Sequence, residues 1–177
     1  MTTLRHFDHD GRVRFITFSC HERLPILTNN VFRETVAQSI EDGRTKCGFK
    51  LLAYVIMPEH VHLVMWPKEE SKVGIVVGWM KQKAARGIAK VLREARSPLL
   101  DRLAVTRDQV KKLALWQRRC FDHNCRDTES VWEKVQYCHN NPVKRGLVRD
   151  PSRWRFSSFN WYQGVLDVPL EIDALQT

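Results

Sequence analysis

The chain has 177 residues, of which 43% are hydrophobic and 28% charged, proportions that exclude a disordered or fibrous chain. No apolar run approaches the roughly 20 residues needed to span a bilayer, and the start, Met1-Thr2-Thr3-Leu4-Arg5-His6, lacks the apolar centre of a secretory leader. Five cysteines without a C-x-x-C pair argue against a disulfide framework and for reduced thiols in a cytoplasmic protein. The net charge is +9, and residues 81–119 hold 12 Lys+Arg against 3 Asp+Glu, so this one segment carries the whole excess. Charge concentrated in this way reads as a surface for a polyanion such as nucleic acid, or as a solvated helix and loop. The length fits one domain over 1–177, with a core over about 13–150, the basic segment at 81–119 and an arginine- and aromatic-rich tail at 151–177.

In chain order, Val13, Phe15, Ile16 and Phe18 predict a strand over 13–20. Val31, Phe32, Val36 and Ile40 then recur at helical spacing, with Asn30 as N-cap and Gly43 or Gly48 as the stop. Two strands follow, 50–57 and 60–66, joined by a tight turn at Pro58-Glu59. The second carries His60 and His62, which alternation puts on one side of the strand, with Val61, Leu63 and Met65 on the other. Two imidazoles side by side on a strand suit one divalent metal; equally, they suit a solvated face.

A second helix is expected over 71–95, with Val73, Val76, Val77, Met80, Ala84, Ile88, Val91 and Ala95 as its apolar face. Opposite them, Lys72, Lys83, Arg86, Lys90 and Arg93 fall within roughly an 80° arc at about 100° per residue. Residues 97–112 read as irregular, with a short helix from Thr106, and 115–127 as a fourth strand. Thr128 caps a last helix over 129–141, which Pro142 ends. On that helix Val131, Val135 and Cys138 form the core stripe, while Tyr137 and Asn141, four apart, share a flank. A tyrosine placed there serves packing, hydrogen bonding, base stacking or nucleophilic attack. The order strand, helix, strand, strand, helix, strand, helix is the split βαβ pattern of an α+β fold: an antiparallel sheet with two helices on one face and the other face left for a site.

Met57-Pro58-Glu59-His60-Val61-His62-Leu63-Val64, Trp116-Gln117-Arg118-Arg119, Tyr137-Cys138-His139-Asn140-Asn141-Pro142-Val143-Lys144-Arg145-Gly146 and Trp154-Arg155-Phe156-Ser157-Ser158-Phe159, in that order, resemble the REP-associated tyrosine transposases, a branch of the IS200-like HUH single-tyrosine transposases. The resemblance implies a ferredoxin-like palm with Mg²⁺ or Mn²⁺ on His60 and His62. It makes Asn141 the third ligand and Tyr137 the nucleophile that leaves a 5′-phosphotyrosine and a free 3′-OH. The implied substrate is single-stranded DNA carrying a palindromic, REP-like hairpin. Phosphates would lie on Lys83, Arg86, Lys90, Arg93, Arg118 and Arg119, and unpaired bases on Trp116 or the tail aromatics. His139 is the alternative ligand, and His123 is structural or close to DNA. Glu59 departs from the asparagine frequent at its position and is expected not to touch the ligands. Proline after Asn141 is expected to push that residue out of helical geometry. A non-catalytic hairpin-binding protein is the competing reading; a hydrolase of small phosphoesters would leave the basic segment idle. Sequence pattern does not choose between monomer and homodimer.

Overall fold

A computed structural model describes residues 11–107 and 109–173; the N-terminal stretch read for a leader, Asp108 and the last four residues of the tail lie outside the described residues. Four strands, β1 (Arg14–Ser19), β2 (Lys50–Ile56), β3 (His60–Trp66) and β6 (Phe121–Asn124), form an antiparallel sheet in the order β2-β3-β1-β6. Two helices, α1 (Asn30–Cys47) and α2 (Val73–Glu94), cover one face of it. This is the expected ferredoxin-like arrangement.

Alternation along the strands sorts the side chains into two cores. Ile16, Phe18, Tyr54, Ile56, Val61, Leu63 and Met65 pack under α1 and α2. On the opposite face Phe15, Ala53, Val55 and Val64 meet Val131, Val135 and Cys138 of α4 (Thr128–Lys144). The two helices of the first layer cross closely at Gly43, where an added Cβ would lie 2.6 Å from Met80. Gly43 is therefore a packing residue, and the helix stops at Gly48 (φ 69°) because the αL conformation costs glycine nothing. Its N-cap is Asn29, whose side chain accepts from the Val31 amide, rather than Asn30. The buried face of α2 includes Ala89 and Leu92, while Ala95 lies past the helix end.

Other boundaries moved for identifiable reasons. Asp127, not Thr128, caps α4, in a reciprocal capping box with Ser130. The helix runs through Pro142 to Lys144; burial of Cys138, Asn141 and Pro142 outweighs the proline's missing donor in this last turn. No helix starts at Thr106. Instead a short α3 (Leu99–Arg102) leads into a hairpin of β4 (Ala104–Arg107) and β5 (Val110–Leu113), in keeping with the β-branched Val105, Thr106 and Val110. The fourth strand of the main sheet is only Phe121–Asn124, tied to β1 by a buried pair, Arg14 to Asp122 at 2.6 Å.

The arginine- and aromatic-rich tail closes the β2 edge. Ser157 bridges to Val55, Tyr162 donates to the Leu52 carbonyl at 2.7 Å, Trp154 donates to the Ile56 carbonyl at 3.2 Å, and the Asp173 carboxylate accepts from the Leu51 amide at 2.8 Å. The tail aromatics named as base-stacking candidates are thus engaged in covering a sheet edge, a common protection of exposed strand backbone. Among the described residues no helix is long and apolar enough to cross a membrane.

Candidate active site

His60 and His62 project from the same side of β3, toward α4, and both are buried, each at 5% exposure. Their outer ring nitrogens are held. Nδ1 of His60 lies 3.0 Å from Glu59 Oε1, and Nδ1 of His62 lies 2.7 Å from Thr17 Oγ1 on β1. With Glu59 and Thr17 accepting, each ring turns the lone pair of Nε2 inward, and the two Nε2 atoms stand 2.9 Å apart. Two facing lone pairs repel unless a proton or a metal cation lies between them. Nitrogens bound at ~2.1 Å and at a right angle to one divalent ion would be about 3.0 Å apart, so the pair fits such an ion.

The third group comes from α4. Asn141 is 5% exposed; its amide nitrogen is 3.3 Å from His62 Nε2, and its Oδ1 is buried without a hydrogen-bond partner. A buried orphan carbonyl costs free energy, and an amide oxygen is a donor that suits a hard divalent cation. Among the described residues no group of three His, Cys, Asp or Glu side chains is placed to hold a metal ion, so the groups here that fit one are the two imidazoles and the Asn141 amide. The expected displacement of Asn141 by Pro142 does not occur, since the helix continues past both residues.

Tyr137, one turn before Asn141, is 40% exposed, with its ring 5.2 Å from that of His62. Phe15 supports both, stacked on His62 at 5.2 Å and edge-on to Tyr137 at 5.7 Å. Lys144 sets its ammonium 5.5 Å from the Tyr137 ring. His139 points elsewhere, bonding Ser158 at 3.0 Å and packing on Tyr162; it belongs to the tail contact rather than to the His60–His62 pair.

Burial is the main cause that lowers the pKa of all three buried histidines: His60 downward, against the opposing pull of Glu59; His62 to about 3; His139 to about 4. Neutral imidazoles are the form that binds a metal.

Glu59 was expected to stand clear of the ligands, and it does not. It is 8% exposed, touches His60, and receives Arg145 at 2.9 Å and Arg23 at 3.5 Å. Arg23 gets there from a tight turn after β1 in which Glu22 and Arg23 both take positive φ, 50° and 54°, a strained conformation for such residues. Carboxylate support of this kind fixes a ligand's tautomer and orientation. Glu59 and Thr17 were legible only as a polar residue in a turn and one member of the Phe15-Thr17-Ser19 alternation.

The cationic candidates divide. Arg118 and Arg119 are exposed on the loop before β6, which leaves the sheet at the His60 end, since Ser19 pairs with His60 and Thr17 with Phe121. Lys83, Arg86, Lys90 and Arg93 are exposed on α2, across the sheet from the histidines; Lys83 pairs with Asp42 at 2.7 Å and Lys90 with Glu94 at 3.9 Å. Trp116 is not open to bases. It is 7% exposed, edge-on to Phe18, with its indole donating to the Lys81 carbonyl at 2.9 Å. His123 is exposed on β6 beside Phe121.

The fold is a ferredoxin-like sheet with paired histidines in its middle and a tyrosine on the helix that crosses it, and comparison with known sequences specifies the family. The chain belongs to the IS200-like transposase family, whose profile matches residues 12–141. It is 28% identical over 164 residues to a protein of Haemophilus influenzae assigned as a REP-associated tyrosine transposase, covering 90% of this chain and 86% of that one. It is 26% identical over 160 residues to the REP-associated tyrosine transposase of Escherichia coli K12, covering 90% and 84%. Among solved structures, a REP-associated tyrosine transposase bound to a REP hairpin matches with TM-score 0.69 and 22% identity, over 100% of this chain and 95% of that one. A Deinococcus radiodurans protein described as a transposase candidate matches with TM-score 0.51 and 18% identity, over 79% and 97%.

Proposed function

We propose that this chain nicks and rejoins single-stranded DNA beside a REP-like hairpin, acting on nucleoid DNA in the cytoplasm, with Tyr137 as nucleophile. One observation carries the reading: Tyr137 and Asn141, one turn apart on α4, both face His62, at 5.2 Å between rings and 3.3 Å between nitrogens. The phenol oxygen attacks phosphorus and gives its proton to water. A bond from the tyrosine oxygen to phosphorus forms, the bond from phosphorus to the 3′ oxygen breaks, and that oxygen takes up a proton to become the 3′-OH. The product is again a diester, a 5′-phosphotyrosine, so the bond energy is kept for rejoining.

His60, His62 and Asn141 would hold Mg²⁺ or Mn²⁺, which when bound supplies Lewis-acid charge to the phosphate oxygens. Glu59 and Thr17 keep both imidazoles turned inward, and Lys144 puts positive charge beside the attacking ring. Arg118 and Arg119 suit phosphates entering at the His60 end of the sheet.

The test is a labelled hairpin oligonucleotide with single-stranded extensions, incubated with Mn²⁺ and run on a denaturing gel. The native chain is expected to form a covalent protein–DNA adduct, and Tyr137→Phe none. Binding by the native chain without any adduct would identify a non-catalytic DNA-binding protein instead.

A further inference from the structure

We infer that Phe121 and His123, on the edge strand β6, form a stacking platform for an unpaired base of the DNA strand whose phosphate is presented to Tyr137; this rests on the proposed single-strand chemistry. The two residues are two apart on a strand, so they share a face, and their rings are parallel within 7° at 6.2 Å between centroids. The β1–β6 register sets that face: Phe121 pairs with Thr17 and His123 with Phe15, the residues that touch His62. The platform and the candidate active site are therefore on the same side of the sheet. Phe15 joins them directly, 5.7 Å from Tyr137 and 6.4 Å from Phe121.

Among the described residues nothing covers this part of the sheet. Helix α4 packs over β2 and β3, and on β6 Phe121 stays 48% exposed and His123 exposed. What would cover it must be flat, partly apolar and anionic. Arg118 and Arg119 precede the platform and Arg126 follows it, all exposed, and Lys134 hangs over Phe15 at 5.6 Å. Aromatic faces set among cations fit a single nucleic-acid strand, whose bases stack while its phosphates pair with Lys and Arg. A duplex hides its base faces and could not use them. Because every base has a π-face, the platform positions the strand without reading its sequence.

The probe is a mixed-sequence single strand of DNA with a terminal fluorophore, titrated by anisotropy. Phe121→Ala and His123→Ala are each expected to weaken binding roughly 5- to 150-fold, the range for losing one stacked base. Phe121→Tyr should bind like the native chain and Phe121→Leu like Phe121→Ala; this second pair decides the matter if the alanine variants fold poorly. A 2-aminopurine in the single-stranded extension of a hairpin oligonucleotide should be quenched by the native chain and not by Phe121→Leu. The platform is wrong if Phe121→Leu binds the single strand as tightly as Phe121→Tyr, or if the native chain does not bind it at all. Adduct formation by the native chain is a separate readout, so loss of the platform and loss of the nucleophile are told apart.

Discussion

Asn141 meets His62 between α4 and β3, its amide nitrogen 3.3 Å from Nε2 and its carbonyl oxygen buried without a partner. That contact brings the tyrosine helix and the histidine strand to one point, and it has a measurable consequence. Asn141→Ala should weaken Mn²⁺ binding by roughly tenfold or more, at least the effect of losing an outer support, while Asn141→Asp should strengthen it. Titration of the metal-free protein followed by electron paramagnetic resonance reads both. Equal affinities in all three proteins would remove Asn141 from the donor set.

Glu59 and Thr17 act through the imidazoles they hold. Glu59→Gln and Thr17→Val keep size but lose the charge or the hydroxyl at Nδ1, 3.0 Å from His60 and 2.7 Å from His62 respectively. Each should lower Mn²⁺ affinity about 10- to 100-fold with little change in melting temperature. The combination tests orientation, because a general packing defect would move both readouts.

Two nitrogen donors and one amide oxygen favour Mn²⁺ over Mg²⁺, the harder ion, which prefers oxygen. Adduct formation is expected at lower Mn²⁺ than Mg²⁺ concentration, and excess EDTA should abolish it. Full adduct yield in EDTA would exclude metal assistance.

Acid should destabilise the metal-free protein through its buried histidines. His62, near 3, and His139, near 4, are both lowered by burial, whereas in the unfolded chain they take up a proton at about 6.5. Between those values the unfolded state binds more protons, so stability is full above about pH 6.5 and falls as the pH drops toward the folded pKa values. Each contributes up to about 1.4 kcal/mol per pH unit in that window. Melting temperature between pH 7 and about 4 should fall less steeply in His139→Gln than in the native chain, after allowing for its own offset.

Strand β6 depends on a buried ion pair. Asp122→Ala would remove one buried partner of the Arg14 guanidinium, whose side chain is 2% exposed, at an expected cost of about 1.5–3 kcal/mol in urea unfolding, the range for hydrogen bonds to a charged group. A cost below about 1 kcal/mol would mean that the Arg14–Asp122 pair does not hold β6 in place.

The two groups of cations should separate in salt titrations. Replacing Arg118 and Arg119 with glutamine should reduce the slope of log affinity against log salt by about 0.7 for each lost single-strand phosphate contact. The same change at Lys83, which is already paired with Asp42, should have a smaller effect. A larger effect from Lys83 would put DNA on the helix layer.

Much of this was legible along the chain because it is local. The alternation His60-Val61-His62 fixed a common face for both imidazoles, the four-residue step from Tyr137 to Asn141 fixed a common flank, and the apolar period of α1 and α2 fixed which side they bury. These follow from the backbone repeats of strand and helix, which need no partner. What tertiary structure alone decided is where those faces meet. Packing carries α4 through Pro142 and turns Asn141 toward His62; strand pairing sets Thr17 beside His62 and Phe121 beside Thr17; the turn geometry brings Glu59 onto His60. It also buries Trp116 and uses the tail to cover β2. Several of those outcomes depend on contacts between residues more than a hundred positions apart, such as Arg14 with Asp122 and Leu51 with Asp173, and their energy appears only when the sheet closes, so no local pattern encodes them.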